Sequence, residues 1–141
     1  MKNQKHHIKY YINYQQFKKN NLMEEKNTVK FKSRQFAIDI IMLYKWICEN
    51  KKEYVLSKQI LRSGTSIGAN IAEAESGISK KDFLSKMYIA FKESCETLFW
   101  LDIMHATDYI DDTNFNELNE KCSELNKMLS SITKTVRESF E

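Results

Sequence analysis

Apolar residues recur at spacings of three and four along most of the chain, the pattern of helices that each bury one stripe. Phe36, Ile40, Leu43 and Ile47 form the first stripe, on a helix predicted from Ser33 as its N-cap to about Asn50, with Ala37, Ile41, Tyr44 and Cys48 on the adjoining row. Leu56, Ile60, Gly64, Ile67, Ile71 and Ala74 form a second. Phe83, Met87, Ala90, Ser94, Thr97 and Leu101 form a third, on a helix running from Lys80 to about Tyr109. Phe115, Leu118, Cys122, Leu125, Leu129, Ile132, Val136 and Phe140 form the last. Four amphipathic helices joined by short links predict an all-α fold, an antiparallel up-down-up-down four-helix bundle over residues 33–141.

The second helix keeps its period although it carries two glycines, each costing about 1 kcal/mol against alanine. Close packing is the expected compensation: Gly64, Gly68 and Ala72 follow one another every four residues and leave a flank low enough for a neighbouring helix. Gly77 is predicted to end this helix in a left-handed cap. Ser79 caps the next, with Asp82 favouring its N-terminal dipole, and Asp111, Asp112 and Thr113 offer capping groups for the last.

Two faces remain after the core is assigned. Arg62, Ser66, Asn70 and Glu73 share the outer side of the glycine-bearing helix, and Glu93 and Glu96 stand one turn apart on the next. They read either as a solvated surface or as a polar network, in which Arg62 pairs with one or more of Glu73, Glu93 and Glu96 within or between protomers. Ser66 and Asn70, poor helix formers without side-chain partners, favour the network. The third helix is apolar on more than one side, and Ile89, Phe99, Trp100 and Ile103 exceed what a bundle core needs. They are the candidate oligomer interface. Trp46, also off the core stripe, is either a partly exposed aromatic or an anchor between protomers.

The segments RSGTSIGANIAEA, SKKDF and KESCETLFWL, at Arg62 to Ala74, Ser79 to Phe83 and Lys92 to Leu101, resemble bacterial four-helix-bundle proteins encoded in intervening sequences of large-subunit (23S) ribosomal RNA genes. The resemblance covers about Met23 to Arg137. It implies a small up-and-down bundle that assembles as a homopentamer. It also implies kinship with the accessory variability determinants of diversity-generating retroelements, whose partners are RNA and a nucleic-acid enzyme, a reverse transcriptase. It implies no catalytic role for any residue.

Charge divides the chain unevenly. Residues 1–32 hold eight lysines and two glutamates, net +6, whereas residues 33–141 are net −3. The first 32 residues are therefore set apart as a basic N-terminal extension, disordered or partly helical by composition. Lys2, Lys5, Lys9, Lys18 and Lys19, interleaved with Tyr10, Tyr11, Tyr14 and Phe17, are candidate nucleic-acid contacts. Translation starting at Met23 would remove those five lysines, leaving the product at −2.

The chemistry of an enzyme is not visible. Glu93 and Glu96 have no Glu-x-x-His partners for a di-iron site, the glycines lie inside a helix rather than in a phosphate loop, and His105 near Ser94 and Cys95 reads as a seam residue. No cofactor or metal is expected. Three widely spaced cysteines on apolar positions, no apolar run long enough for a membrane span and no secretory signal read as a reduced cytoplasmic protein. The expected function is a non-enzymatic homo-oligomeric scaffold or adaptor. Direct RNA binding through a basic surface of the assembled ring is the alternative.

Overall fold

The computed structural model describes residues 2–141, with side chains described at Lys9 and from Ile12 onward. Among them the chain is all-α and has five helices rather than the expected four: α1 (Lys2–Lys26), α2 (Val29–Lys51), α3 (Leu56–Glu75), α4 (Lys80–Ala106) and α5 (Asp112–Glu138). α2 packs against α3 and α5, and α4 packs against the same two, so α2 and α4 lie diagonally across the core.

Cross-helix pairs set the register. Gly64 lies opposite Ile40 and Gly68 opposite Ser33, so α3 runs against α2. Thr97 donates to Ser63 at 3.0 Å and Lys86 meets Glu73 at 2.6 Å, so α4 runs against α3. Asn126 donates to Ser94 at 2.9 Å and His105 meets Asp112 at 2.7 Å, so α5 runs against α4. The expected stripes meet in the middle. Phe36, Ile40, Ile47, Ile60, Ile67, Ile71, Leu101, Met104, Leu125 and Leu129 are almost wholly buried, while Phe140, expected to end the last stripe, lies exposed beyond α5.

Helix boundaries correct several expectations. Thr28, not Ser33, caps α2, accepting from the Phe31 N–H at 3.2 Å. Ser33 is buried one turn inside, its hydroxyl turned back to the Lys30 carbonyl at 3.1 Å. α3 has no capping side chain at Val55. Glu53 does that work instead, accepting from the backbone N–H groups of Val55, Leu56 and Ser57 at 2.7–3.0 Å. Burial pushes its carboxyl up, but these three donors outweigh burial and hold it below its ordinary value. Gly77 is not left-handed, since no glycine has a positive φ. Its small size matters instead, because a Cβ there would lie 3.0 Å from the Ala74 carbonyl oxygen. Ser79 and Asp111 cap α4 and α5 as expected.

The N-terminal extension is helical to Lys26, and the break falls at Asn27–Thr28 rather than at residue 32. With no proline or glycine, with Lys and Gln along its length and Leu, Met and Glu in its last turns, nothing in it interrupts a helix. Its described side chains are exposed, and it touches only α2. A chain beginning at Met23 should therefore keep the cooperative melt of the full chain, read by circular dichroism. A loss of cooperativity would mean that α1 packs on the body of the protein.

Candidate functional site

The outer face of α4 carries the residues that the core leaves over. Arg62 reaches across from α3 to both carboxylates, with Nη1 3.4 Å from Glu93 and Nη2 hydrogen-bonded to Glu96. The Trp100 indole N–H donates to the other oxygen of Glu96 at 3.3 Å. Beneath this group, the buried Thr97 hydroxyl bridges the Glu93 carbonyl at 2.8 Å and Ser63. Ser66 and Asn70 bond only within α3, to the carbonyls of Arg62 and Ser66 at 2.6 and 2.8 Å. Glu73 lies outside the group, paired with Lys86 instead. The reason is distance along α3: Glu73 is three turns from Arg62, opposite the start of α4.

Burial divides the two glutamates. The Glu93 side chain is 19% exposed. Burial pushes its carboxyl above the ordinary value, Arg62 pulls it back, and the neighbouring Glu96 charge adds to the rise. Glu96, more open and better bonded, is held below its ordinary value first by the Arg62 hydrogen bond, against burial. The two should give opposite pH dependences. A raised native pKa means stability lost as pH rises through it, and a lowered one means stability lost as pH falls through it. From about pH 4 to pH 7, Glu93→Gln should therefore gain melting temperature relative to wild type, and Glu96→Gln should lose it. Shifts of the same sign in both melts would show that Arg62 does not distinguish them. Arg62 itself is 49% exposed, so Arg62→Ala belongs with surface pairs at about 1 kcal/mol rather than with buried ones.

Around this polar group the face is apolar. Phe99 is 54% exposed and meets Trp100 edge-on at 5.1 Å. Trp100 and Ile103 are half-buried, with Trp100 packed on the core. Ile89 stands apart, more than two turns earlier, where it lines a groove between α4 and α5. Of the close-packing residues, Gly64 and Gly68 lie against α2, whereas Ala72 is exposed. Lys9, Lys18 and Lys19 are exposed on α1. The side chains of Lys2 and Lys5 lie outside the described residues. Among the described residues, no group of three or more His, Cys, Asp or Glu is placed to hold a metal ion, and no helix is long and apolar enough to cross a membrane.

A second apolar face was not read from the sequence. Ile38, Ile41 and Met42 are exposed on the outer side of α2, next to the exposed Trp46. The signal was present in the unbroken apolar run Ile40 to Tyr44, which goes all the way round a helix.

The sequence matches the 23S rRNA-intervening sequence protein family over residues 25–131. The chain belongs to that family. A protein with unknown function from the S23 ribosomal protein family of Bacteroides thetaiotaomicron VPI-5482, known from its crystal structure, is 50% identical, with a TM-score of 0.75. The similarity covers 76% of this chain and 99% of that one. Nearly all of α1 lies before the family match begins. No curated protein matches the chain.

Proposed function

We propose that this member of the family is a non-enzymatic scaffold, an up-down-up-down four-helix unit over α2–α5 that assembles into a homo-oligomeric ring, with the pentamer implied by its family resemblance. One observation supports this most directly. Two unpartnered apolar faces, Phe99 with Ile103 on α4 and Ile38 with Met42 on α2, sit on diagonal helices and so face opposite sides of the protein. A self-pairing dimer needs one such face, whereas a head-to-tail ring needs two different ones. The Arg62, Glu93 and Glu96 group inside the α4 face would then set orientation, as polar groups within apolar contacts do. The native mass at tens of micromolar tests this. A multiple of the chain mass above two supports the ring, and a monomer rejects it.

Direct RNA binding is a second reading, supported by α1. This helix projects Lys9, Lys18 and Lys19 into solvent beside the exposed rings of Tyr14 and Phe17. A ring would multiply that charge by its number of protomers. RNA or an RNA-handling enzyme such as a reverse transcriptase is the partner class this implies for a cytoplasmic scaffold.

A further inference from the structure

Between the first half of α4 and the end of α5 lies an open groove of about 560 Å³. Lys81, Lys92 and Arg137 converge on it, Leu84 and Ile89 supply apolar lining, Tyr88 presents a half-exposed ring, and no carboxylate lines it. Many other cations on α2–α5 are answered by acids: Lys30 by Glu75, Lys32 by Glu124, Lys86 by Glu73, and Lys121 by Asp39 and Glu117. Among the described residues the three groove cations have no such partner. Lys92 instead stands 5.9 Å from the centre of the Tyr88 ring. Three uncompensated charges around one depression make a local positive potential that mobile anions must neutralise.

We infer that this groove binds single-stranded nucleic acid, with Lys81, Lys92 and Arg137 on phosphates spaced along one strand and Tyr88 stacked on a base. Lys81 and Lys92 are eleven residues apart on α4, about 16 Å along its axis, which suits a run of nucleotides better than a single phosphate. An exposed tyrosine beside cations matches the stacking-plus-charge pattern of sequence-tolerant strand binding. An acidic peptide would use the charges but leave the ring without a flat partner. α1 leaves α2 at the end where Lys30 meets Glu75 and where Lys80 reaches the Ser139 carbonyl, so its lysines extend from the end of the protein that holds Lys81 and Arg137.

The groove and the assembly face occupy successive halves of α4, since Phe99 lies seven residues beyond Lys92, about 10 Å further along. The inference is therefore independent of the scaffold reading, and light scattering on the same samples keeps the two apart. The experiment is a fluorescence-anisotropy titration of the full chain with labelled oligouridylate and with oligodeoxythymidylate of equal length, each across a salt series. Wild type should bind, and the tighter of the two strands identifies the natural source. Lys81→Gln/Lys92→Gln/Arg137→Gln should weaken binding at least tenfold and flatten the log–log salt slope by about 2, because each phosphate contact on a single strand contributes about 0.7. Tyr88→Ala should weaken it about tenfold with the slope unchanged. The inference is overturned if wild type binds neither strand at low salt, or if polyglutamate of equal charge displaces the strand as well as unlabelled oligonucleotide does. It is likewise overturned if the triple variant binds like wild type while Lys18→Gln/Lys19→Gln loses all affinity.

Discussion

If the proposed ring forms, Phe99→Glu and Met42→Glu should each convert it to monomers without unfolding the chain. Both side chains are more than half exposed in the single chain, at 54% and 59%, so a carboxylate at either position stays hydrated in the monomer. In the assembly the same carboxylate would be buried against an apolar partner. Burying an unpaired charge costs about 3 to 5 kcal/mol, a factor of more than a hundred in the association constant of every interface. The pair of variants also tests geometry. In a head-to-tail ring each contact joins the α4 face of one protomer to the α2 face of the next, so either change breaks every contact. In a self-pairing dimer through α4 alone, Met42→Glu would stay assembled. Native mass at tens of micromolar and circular dichroism on the same samples decide the matter, and an assembled Phe99→Glu variant would reject the α4 face. Trp100, equally prominent in the sequence, is a poorer probe because it also packs on the core and donates to Glu96.

Gly64→Leu should lower stability by about 3 kcal/mol, a fall of roughly 10 °C in melting temperature for a domain of this size. Even the first added carbon has no room, because a Cβ at position 64 would lie 2.9 Å from both γ carbons of Ile40. Ile40 cannot turn aside easily. It is β-branched, fully buried and held by its own helix. α2 must then move away from α3, opening gaps along one of the closest contacts in the protein, and the helix propensity gained by removing glycine is too small to offset this. Ile40→Ala in the same chain should restore part of the loss, since the space given up by isoleucine is the space leucine needs. Ala72→Leu, on an exposed position of the same helix, should be nearly neutral. A Gly64→Leu melt within 2 °C of wild type would show that the two helices are not held at this distance.

The core and the functional face were not equally legible. Buried stripes repeat at fixed spacing, so Phe36, Ile40, Ile47, Ile60, Ile67, Leu101, Leu125 and Leu129 could be assigned to the interior from period alone. The polar group needed more than period. Glu73 has the same helical face as Arg62 but a different neighbour, and its partner Lys86 became apparent only once α3 and α4 were in register. The α2 face escaped because an apolar run that encircles a helix does not say which of its sides the other helices leave open.

Caps show the same division at smaller scale. Asp111 and Ser79 were readable because the hydroxyl or carboxylate sits directly before the helix it caps. Glu53 caps α3 from two residues before Val55, along a link whose path local sequence does not specify. Thr28 displaced Ser33 because α2 begins a turn earlier, where its first residues can lean on α3 and α5.

The sequence by itself determined the helical class, the core stripes and the small-residue contact at Gly64, since period and side-chain volume are properties of the chain. It also determined the positive charge of the extension. Only the tertiary structure decided which helices are diagonal, which apolar residues stay exposed, and that Lys81, Lys92 and Arg137 surround one groove. Those facts depend on distances between residues far apart in the chain, which local periodicity does not encode.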